Sequence, residues 1–337
     1  MSPNKLQEWF PWVQTPVVCS APMMGVATVE LATQQLAALA ANLTTSRALL
    51  GTSDGGRADV GVGFLTGHAS VASFAETAVP VVAEHRPAAV WLFAPNQHVK
   101  PHGNIIRALK ALDPAPRVFV QVGNVAAARE AVRDGADAIV CQGIDAGGHQ
   151  FRRGAGVVTI VPEAREMLER APRGSEVCVL AAGGIVDGRG LAAAMALGAY
   201  GVVMGTRFTV ARESAYPDFR KHLVLSAVDG GISTLKSPFN DEINNSALYE
   251  ALWGAHYDGR SVVSTIHEQF LAGSTLEDLR KSLAEDYSKD DAAKLINTWA
   301  GTGVGLVKEV LPAGEIVQEA RETAKRTIRE LVGQLCE

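Results

Sequence analysis

The chain has 337 residues, 47% hydrophobic and 20% charged, which is ample material for a large core and excludes a disordered chain. A formal net charge of −5 and the lack of any run of five basic residues leave no electrostatic footprint for nucleic acid. No stretch reaches the roughly 18 uncharged apolar residues of a membrane helix, and MSPNKLQEWFPWVQTP lacks the basic start and apolar block of a signal peptide. Cys19, Cys141, Cys178 and Cys336 show no CxxC spacing. The first three sit in apolar strand-like runs, the pattern of buried free thiols in a reducing compartment such as the cytoplasm.

Short apolar runs alternate with helical patterns through the first two thirds of the chain. The runs predict strands at 17–20, 43–45, 60–65, 89–93, 118–122, 138–141, 177–181 and 201–204. Segments 29–41, 126–134, 162–171 and 189–197, rich in Ala, Leu, Glu and Arg, predict helices between them. Continuous apolar strands rather than alternating ones indicate a sheet covered on both faces. Eight such units predict an α/β fold, a (β/α)₈ TIM barrel of about 250 residues with its site at the strands' carboxyl ends. A doubly wound open sheet is the structural alternative.

From 218 to 299 the texture turns to Asn, Ser, Asp and aromatics without a βα repeat. This reads as a smaller inserted helical and loop domain capping the mouth, with the barrel formed by 1–217 and 300–337. Near the end, Ile316, Val317, Ala320, Ala324, Ile328, Leu331 and Val332 share one helical face and predict a closing helix.

The chemistry concentrates at three strand ends. In IVCQGIDAGGHQ a strand runs into Gln142, Gly147, Gly148 and His149. Glycines there let backbone N–H groups approach a planar ligand, Gln142 both donates and accepts, and an imidazole exchanges protons near neutral pH. The alternative is a glycine-rich turn bearing a solvent-facing histidine. VCVLAAGGIVDGRG carries Gly183 and Gly184, and GVVMGTRF carries Val203, Met204, Gly205 and Thr206. Glycine turns after the two last barrel strands are a common phosphate site, although packing alone also selects them. Ala21, Pro22 and Met23 after the first strand, with Gln121 in VFVQVG, are candidates to line a ring system. Met23 serves equally as plain core packing.

No lysine lies between Lys110 and Lys221, so no late strand offers a Schiff-base amine. The histidines show no HxH or HExxH spacing, and Pro101 between His98 and His102 argues for a loop there, so no metal is expected.

In order, QGIDAGGH, LAAGGIVDGRG and VVMGTRF resemble the nitronate monooxygenase (2-nitropropane dioxygenase-like) family of flavoenzymes. The APMMG turn, QVGNVAAAREAVRDGADAIV and GTGVGLVKEVLPAGEIV are similar too, so the resemblance covers nearly the whole chain. It implies a non-covalent FMN and oxidation of alkyl nitronates, or nitroalkanes, by O₂ to a carbonyl compound and nitrite. Carried over by motif, His149 matches the family histidine placed to act as catalytic base or to bind the substrate anion. Gln142, Gly147, Gly148, Gly183, Gly184 and Val203, Met204, Gly205 and Thr206 hold FMN, with Ala21, Pro22, Met23 and Gln121 along its ring. Two positions depart from the pattern: Asp145 stands where Glu is frequent, and Gly63 where some members place Asn. Rival readings are an NAD(P)H-dependent flavin reductase of quinones or enoyl thioesters, and a phosphate-binding barrel without flavin. The partners expected are a small-molecule substrate and O₂. The oligomeric state stays open, a homodimer included.

Overall fold

The computed structural model describes residues 4–23, 29–52 and 56–335. Its strands are β1 (Val17–Ser20), β2 (Ala58–Leu65), β3 (Pro87–Phe93), β4 (Arg117–Val122), β5 (Ala138–Gln142), β6 (Gly148–Phe151), β7 (Cys178–Ala182), β8 (Gly201–Met204), β9 (Thr234–Ser237) and β10 (Tyr257–Val262). Among the described residues, seven of these form one parallel sheet in the order β1-β8-β7-β5-β4-β3-β2. Helices cross between successive strands. One example, Val125–Asp134, starts where the Asn124 side chain accepts from Ala127 N–H and ends at Gly135, whose φ of 102° only glycine adopts easily. The sheet curls into an α/β barrel.

Both faces of the curled sheet are apolar, which is why its strands read as continuous runs. Val118, Val120, Ile139, Cys141, Val179, Ala181, Val202 and Met204 point outward and pack under the helices. Phe119, Ala138, Val140, Cys178, Leu180, Ala182 and Val203 alternate with them and fill the interior. The short helix Lys5–Trp9 plugs one end through Leu6 and Phe10. Phe10 stacks on Phe119 with centroids 6.2 Å apart, and Phe119 on Trp91 at 6.1 Å, so an aromatic column runs up the interior.

The expected strand at 43–45 is instead part of one helix, Val29–Leu49. No glycine or proline interrupts that Ala- and Leu-rich stretch, and Thr44 and Thr45 donate their hydroxyls back to the carbonyls of Ala40 and Ala41. Helical continuity therefore outweighs the β preference of two threonines. The parallel sheet consequently has two edges, β1 and β2. They are bridged by packing: a Cβ added at Gly63 in β2 would lie 3.0 Å from the Pro22 ring.

A second, antiparallel sheet of order β6-β10-β9 lies beyond the barrel. Segment 218–299 thus contains two strands besides its helices, and both are short and polar enough to escape a pattern reading. The closing helix, Ala313–Leu335, buries Ile316, Ala320 and Ala324. A Cβ at Gly188 would fall 2.3 Å from the Ala320 carbonyl, so glycine here sets the close helix–helix contact. Ile328, Leu331 and Val332, expected on the same packed face, are exposed.

Phe119→Ala is expected to leave a cavity between Phe10 and Trp91 and to lower stability by about 3–5 kcal/mol, read as the shift in a chemical denaturation midpoint. A shift within the noise would mean that the aromatic column does not brace the barrel.

Candidate active site

β5 ends the inner wall at Gln142, and six residues later the chain enters β6. There Gly148, His149, Gln150 and Phe151 pair with Arg260, Gly259, Asp258 and Tyr257 of β10. That pairing sets His149 among side chains of segment 218–299. Its ring stacks on Trp253, centroids 3.7 Å apart and planes 7° apart, and meets Trp299 at 4.8 Å on a tilt. Its Nε2 lies 2.6 Å from Oδ1 of Asp241 on the short helix Phe239–Glu242. The two side chains are 10% and 15% exposed, so solvent screens the pair little. His149 is therefore a built-in group and not a solvent-facing one.

Gln142 points inward, two residues on from Val140, and donates its Nε2–H to the His149 carbonyl at 3.0 Å. Its Oε1 is buried with no hydrogen-bond partner among the described residues. Such an acceptor is costly to leave unmet and marks where a donor belongs. On the neighbouring strand Gln121 also faces inward, and Trp91 Nε1–H donates to its Oε1 at 3.0 Å. The acceptor end of Gln121 is thereby used, which turns its NH₂ into the end on offer. Phe93, Phe151, Trp253 and Tyr257 form an aromatic wall joining β3 to the second sheet.

The glycines separate by what they face. Gly148 has a φ of 70° and open space where a side chain would be. A Cβ at Gly205 would meet the Ala21 side chain at 3.7 Å and the Met23 sulfur at 3.9 Å, ordinary contact distances. Gly147 is instead needed for packing, since a Cβ would sit 2.5 Å from the Ala300 backbone. Gly183, with φ 101°, backs onto the Gly143 carbonyl in the same way, and Gly184 onto Asp145. The Thr206 hydroxyl accepts from Gly301 N–H at 2.9 Å and keeps its own proton to donate. Val203 lies in the interior, whereas the Met204 side chain points outward into the helix layer, so only its backbone can reach the mouth. Pro22 and Met23 are exposed beside β1, and Ala21 is half-buried there. Met24 and Gly25 of the APMMG turn lie outside the described residues.

His102 and the cysteines are structural. His102 heads the helix His102–Lys110 after the Pro101 turn, bonds Thr66, and is pushed by burial down to about 4. Burial raises the Cys19 thiol to about 11 and those of Cys141 and Cys178 to about 12, which makes them inert. Among the described residues no group of three or more His, Cys, Asp or Glu side chains could hold a metal ion. A cavity of about 590 Å³ lies between the end of β4 and the helices beside it, lined by Val120, Gln121 and Val122 together with Glu130, Phe151 and Tyr257.

Residues 60–322 match the family model described as nitronate monooxygenase. The chain belongs to the nitronate monooxygenase family. It is 42% identical to a nitronate monooxygenase of Neurospora crassa, across 97% of this chain and 94% of that protein. Among solved structures it is similar to FabK from Thermotoga maritima, with a TM-score of 0.69, 22% identity and 98% of each chain covered. It is similar also to a nitroalkane oxidase from Streptomyces ansochromogenes, with a TM-score of 0.65, 21% identity, and 97% and 99% covered. At those identities the two structural likenesses speak for the fold alone.

The two departures from the nitronate monooxygenase pattern have local causes. Gly63 gives room to the Pro22 ring. Asp145 fastens the closing segment, its carbonyl accepting from Thr302 N–H at 3.0 Å and its carboxylate from the Thr302 hydroxyl at 3.3 Å. Sequence reasoning singled out His149 and both glutamines but missed Asp241 altogether. Trp253, Tyr257 and Trp299 stand out in the sequence only as aromatics fit for a pocket or an interface. Their clustering around His149 and Phe93 depends on β10.

Gly147→Ala forces the 145–148 turn away from residues 300–301 and costs about 1–3 kcal/mol. A urea titration measures this, and an unshifted midpoint would refute the close packing at that crossing.

Proposed function

We propose that this family member is an FMN-dependent enzyme that converts alkyl nitronates and O₂ to a carbonyl compound and nitrite. Family membership supports the reaction class. The observation that ties it to this chain is His149, stacked on Trp253 at the barrel mouth beside two inward-facing glutamines.

The residues present fit a flavin. A flavin's pyrimidine edge offers a ring N–H between carbonyl groups. Gln142 Oε1, buried and unmatched, suits the N–H, and the Gln121 NH₂ suits a carbonyl. Ala21, Pro22 and Met23 would flank the ring, with Val203 beneath it and Gly148 leaving room beside His149. Gly183, Gly184, Gly205 and Thr206, with the Gly147 and Met204 backbones nearby, would hold the phosphate through N–H groups and the Thr206 hydroxyl. When bound, the flavin supplies the electron transfer from nitronate to O₂.

The chain's own residues supply positioning and proton transfer. For a neutral nitroalkane, His149 removes the α-proton, which leaves the nitronate and an imidazolium. That cation lies on the face of Trp253, an arrangement worth about 0.5–2 kcal/mol. The aromatic wall keeps water off the developing nitronate. The Gln121 NH₂ and backbone N–H groups would face the carbonyl edge of the bound group and supply donors there, while Lys236 donates instead to the Phe151 and Arg152 carbonyls. Inert thiols suit a reducing, cytoplasmic setting. No helix among the described residues is long and apolar enough to cross a membrane.

Purified protein is expected to show flavin absorbance and to consume O₂ with a simple nitronate. His149→Ala lowers neutral-nitroalkane turnover by about 10²–10⁴-fold and nitronate turnover far less. Equal losses on the two substrates would remove His149 as the base. A colourless protein unable to take up FMN would favour the flavin-free barrel. Rapid bleaching by NADH without oxygen would favour the reductase.

A further inference from the structure

We propose that Asp241 is a positioning residue for His149: its carboxylate selects the imidazole tautomer that can take a proton, so catalysis depends on the seating of segment 218–299. This rests on the reading of His149 as the base.

Hydrogen-bond chemistry fixes where the ring proton sits. An ionised carboxylate only accepts, so the 2.6 Å contact from Asp241 Oδ1 requires the proton on His149 Nε2. In the neutral ring the lone pair then belongs to Nδ1, and the basic nitrogen is set by a residue 92 positions away in sequence. Both partners are largely buried. Solvent therefore screens the contact little.

The surroundings hold the pair in register. Trp253 lies flat on one face of the imidazole and Trp299 leans on it, so the ring cannot swing without moving two indoles. A Cβ at Gly259, opposite His149 in β10, would sit 2.4 Å from the Trp299 ring. Asp241 is fixed from its own side. The adjacent Asn240 donates to the Gly259 carbonyl at 2.9 Å and accepts from the Ser261 hydroxyl at 2.7 Å. Phe239, next in line, is buried against His267 and Phe270. The helix Phe239–Glu242 is thus bolted to β10, the same strand that carries β6 and His149. One strand sets both ends of the contact.

In turnover the α-carbon–hydrogen bond of the nitroalkane breaks, its electron pair stays on the nitronate, and a bond forms between that proton and Nδ1. Asp241 then faces an imidazolium whose Nε2–H it already holds. It takes no proton itself.

The test compares wild type, Asp241→Asn and Asp241→Glu as flavin-loaded protein, with ¹⁵N-labelled histidine and the His149 signals assigned from His149→Ala. Wild type is expected to show Nε2–H with an unprotonated Nδ1. In Asp241→Asn the amide NH₂ can donate to Nε2, which drives the ring to the opposite tautomer. The ratio of neutral-nitroalkane to nitronate kcat/KM should fall by about 10²–10⁴-fold, and Asp241→Glu should recover part of both. An unchanged tautomer with an unchanged ratio would overturn the proposal. A loss on both substrates with the tautomer intact would also overturn it, by making Asp241 merely structural. Equal losses on both substrates in His149→Ala would remove the base reading, while the tautomer readout would still decide whether Asp241 sets the ring.

Discussion

The pairing of β6 with β10 is the contact on which the rest of the site depends. A parallel barrel alone presents glycine-rich strand ends to solvent. Here the loop that leaves β5 is drawn into a second sheet, and its histidine meets side chains from a segment far downstream of it in the chain. Backbone hydrogen bonds fix that register, and a one-residue slip would turn His149 to the other face of the sheet. The stack on Trp253, the lean of Trp299 and the bond to Asp241 all follow from the same register.

Beneath this, the barrel contributes rigidity and two oriented amides. Its inner residues alternate strictly with outer ones, so the positions facing the mouth are decided by parity from Phe119 to Gln121 and from Val140 to Gln142. Trp91 and the His149 backbone then orient those two amides through one hydrogen bond each. Many of the glycines at the strand ends are explained by crossing backbones. Gly147 against Ala300 and Gly183 against Gly143 would be required with or without a cofactor. A glycine-rich motif at a barrel mouth therefore records chain packing as well as ligand contact, and Gly148 is the site glycine that leaves open space.

What could be read from the sequence divides along range. Seven parallel strands were legible because each is a continuous apolar run bounded by turn residues. The eighth, at 43–45, was not there to be read: Thr44 and Thr45 have β character one at a time but sit inside an uninterrupted helix-forming stretch. β9 and β10 were invisible for the opposite reason, being four and six residues long with polar members. His149 and the glutamines were legible because a strand end fixes their place locally. Asp241 was not, since nothing in SPFNDEINN distinguishes a carboxylate that holds a histidine from one that faces water. Its role exists only once β10 has brought both together.

The most direct measurement is a crystal structure of the protein loaded with FMN and soaked with a nitroalkane. Catalysis by a histidine base over a glutamine-held flavin requires Gln142 Oε1 on the flavin ring N–H, and the His149 imidazole, still bonded to Asp241, facing the substrate's α-carbon. A flavin bound elsewhere, or an imidazole turned away from the substrate, would contradict it.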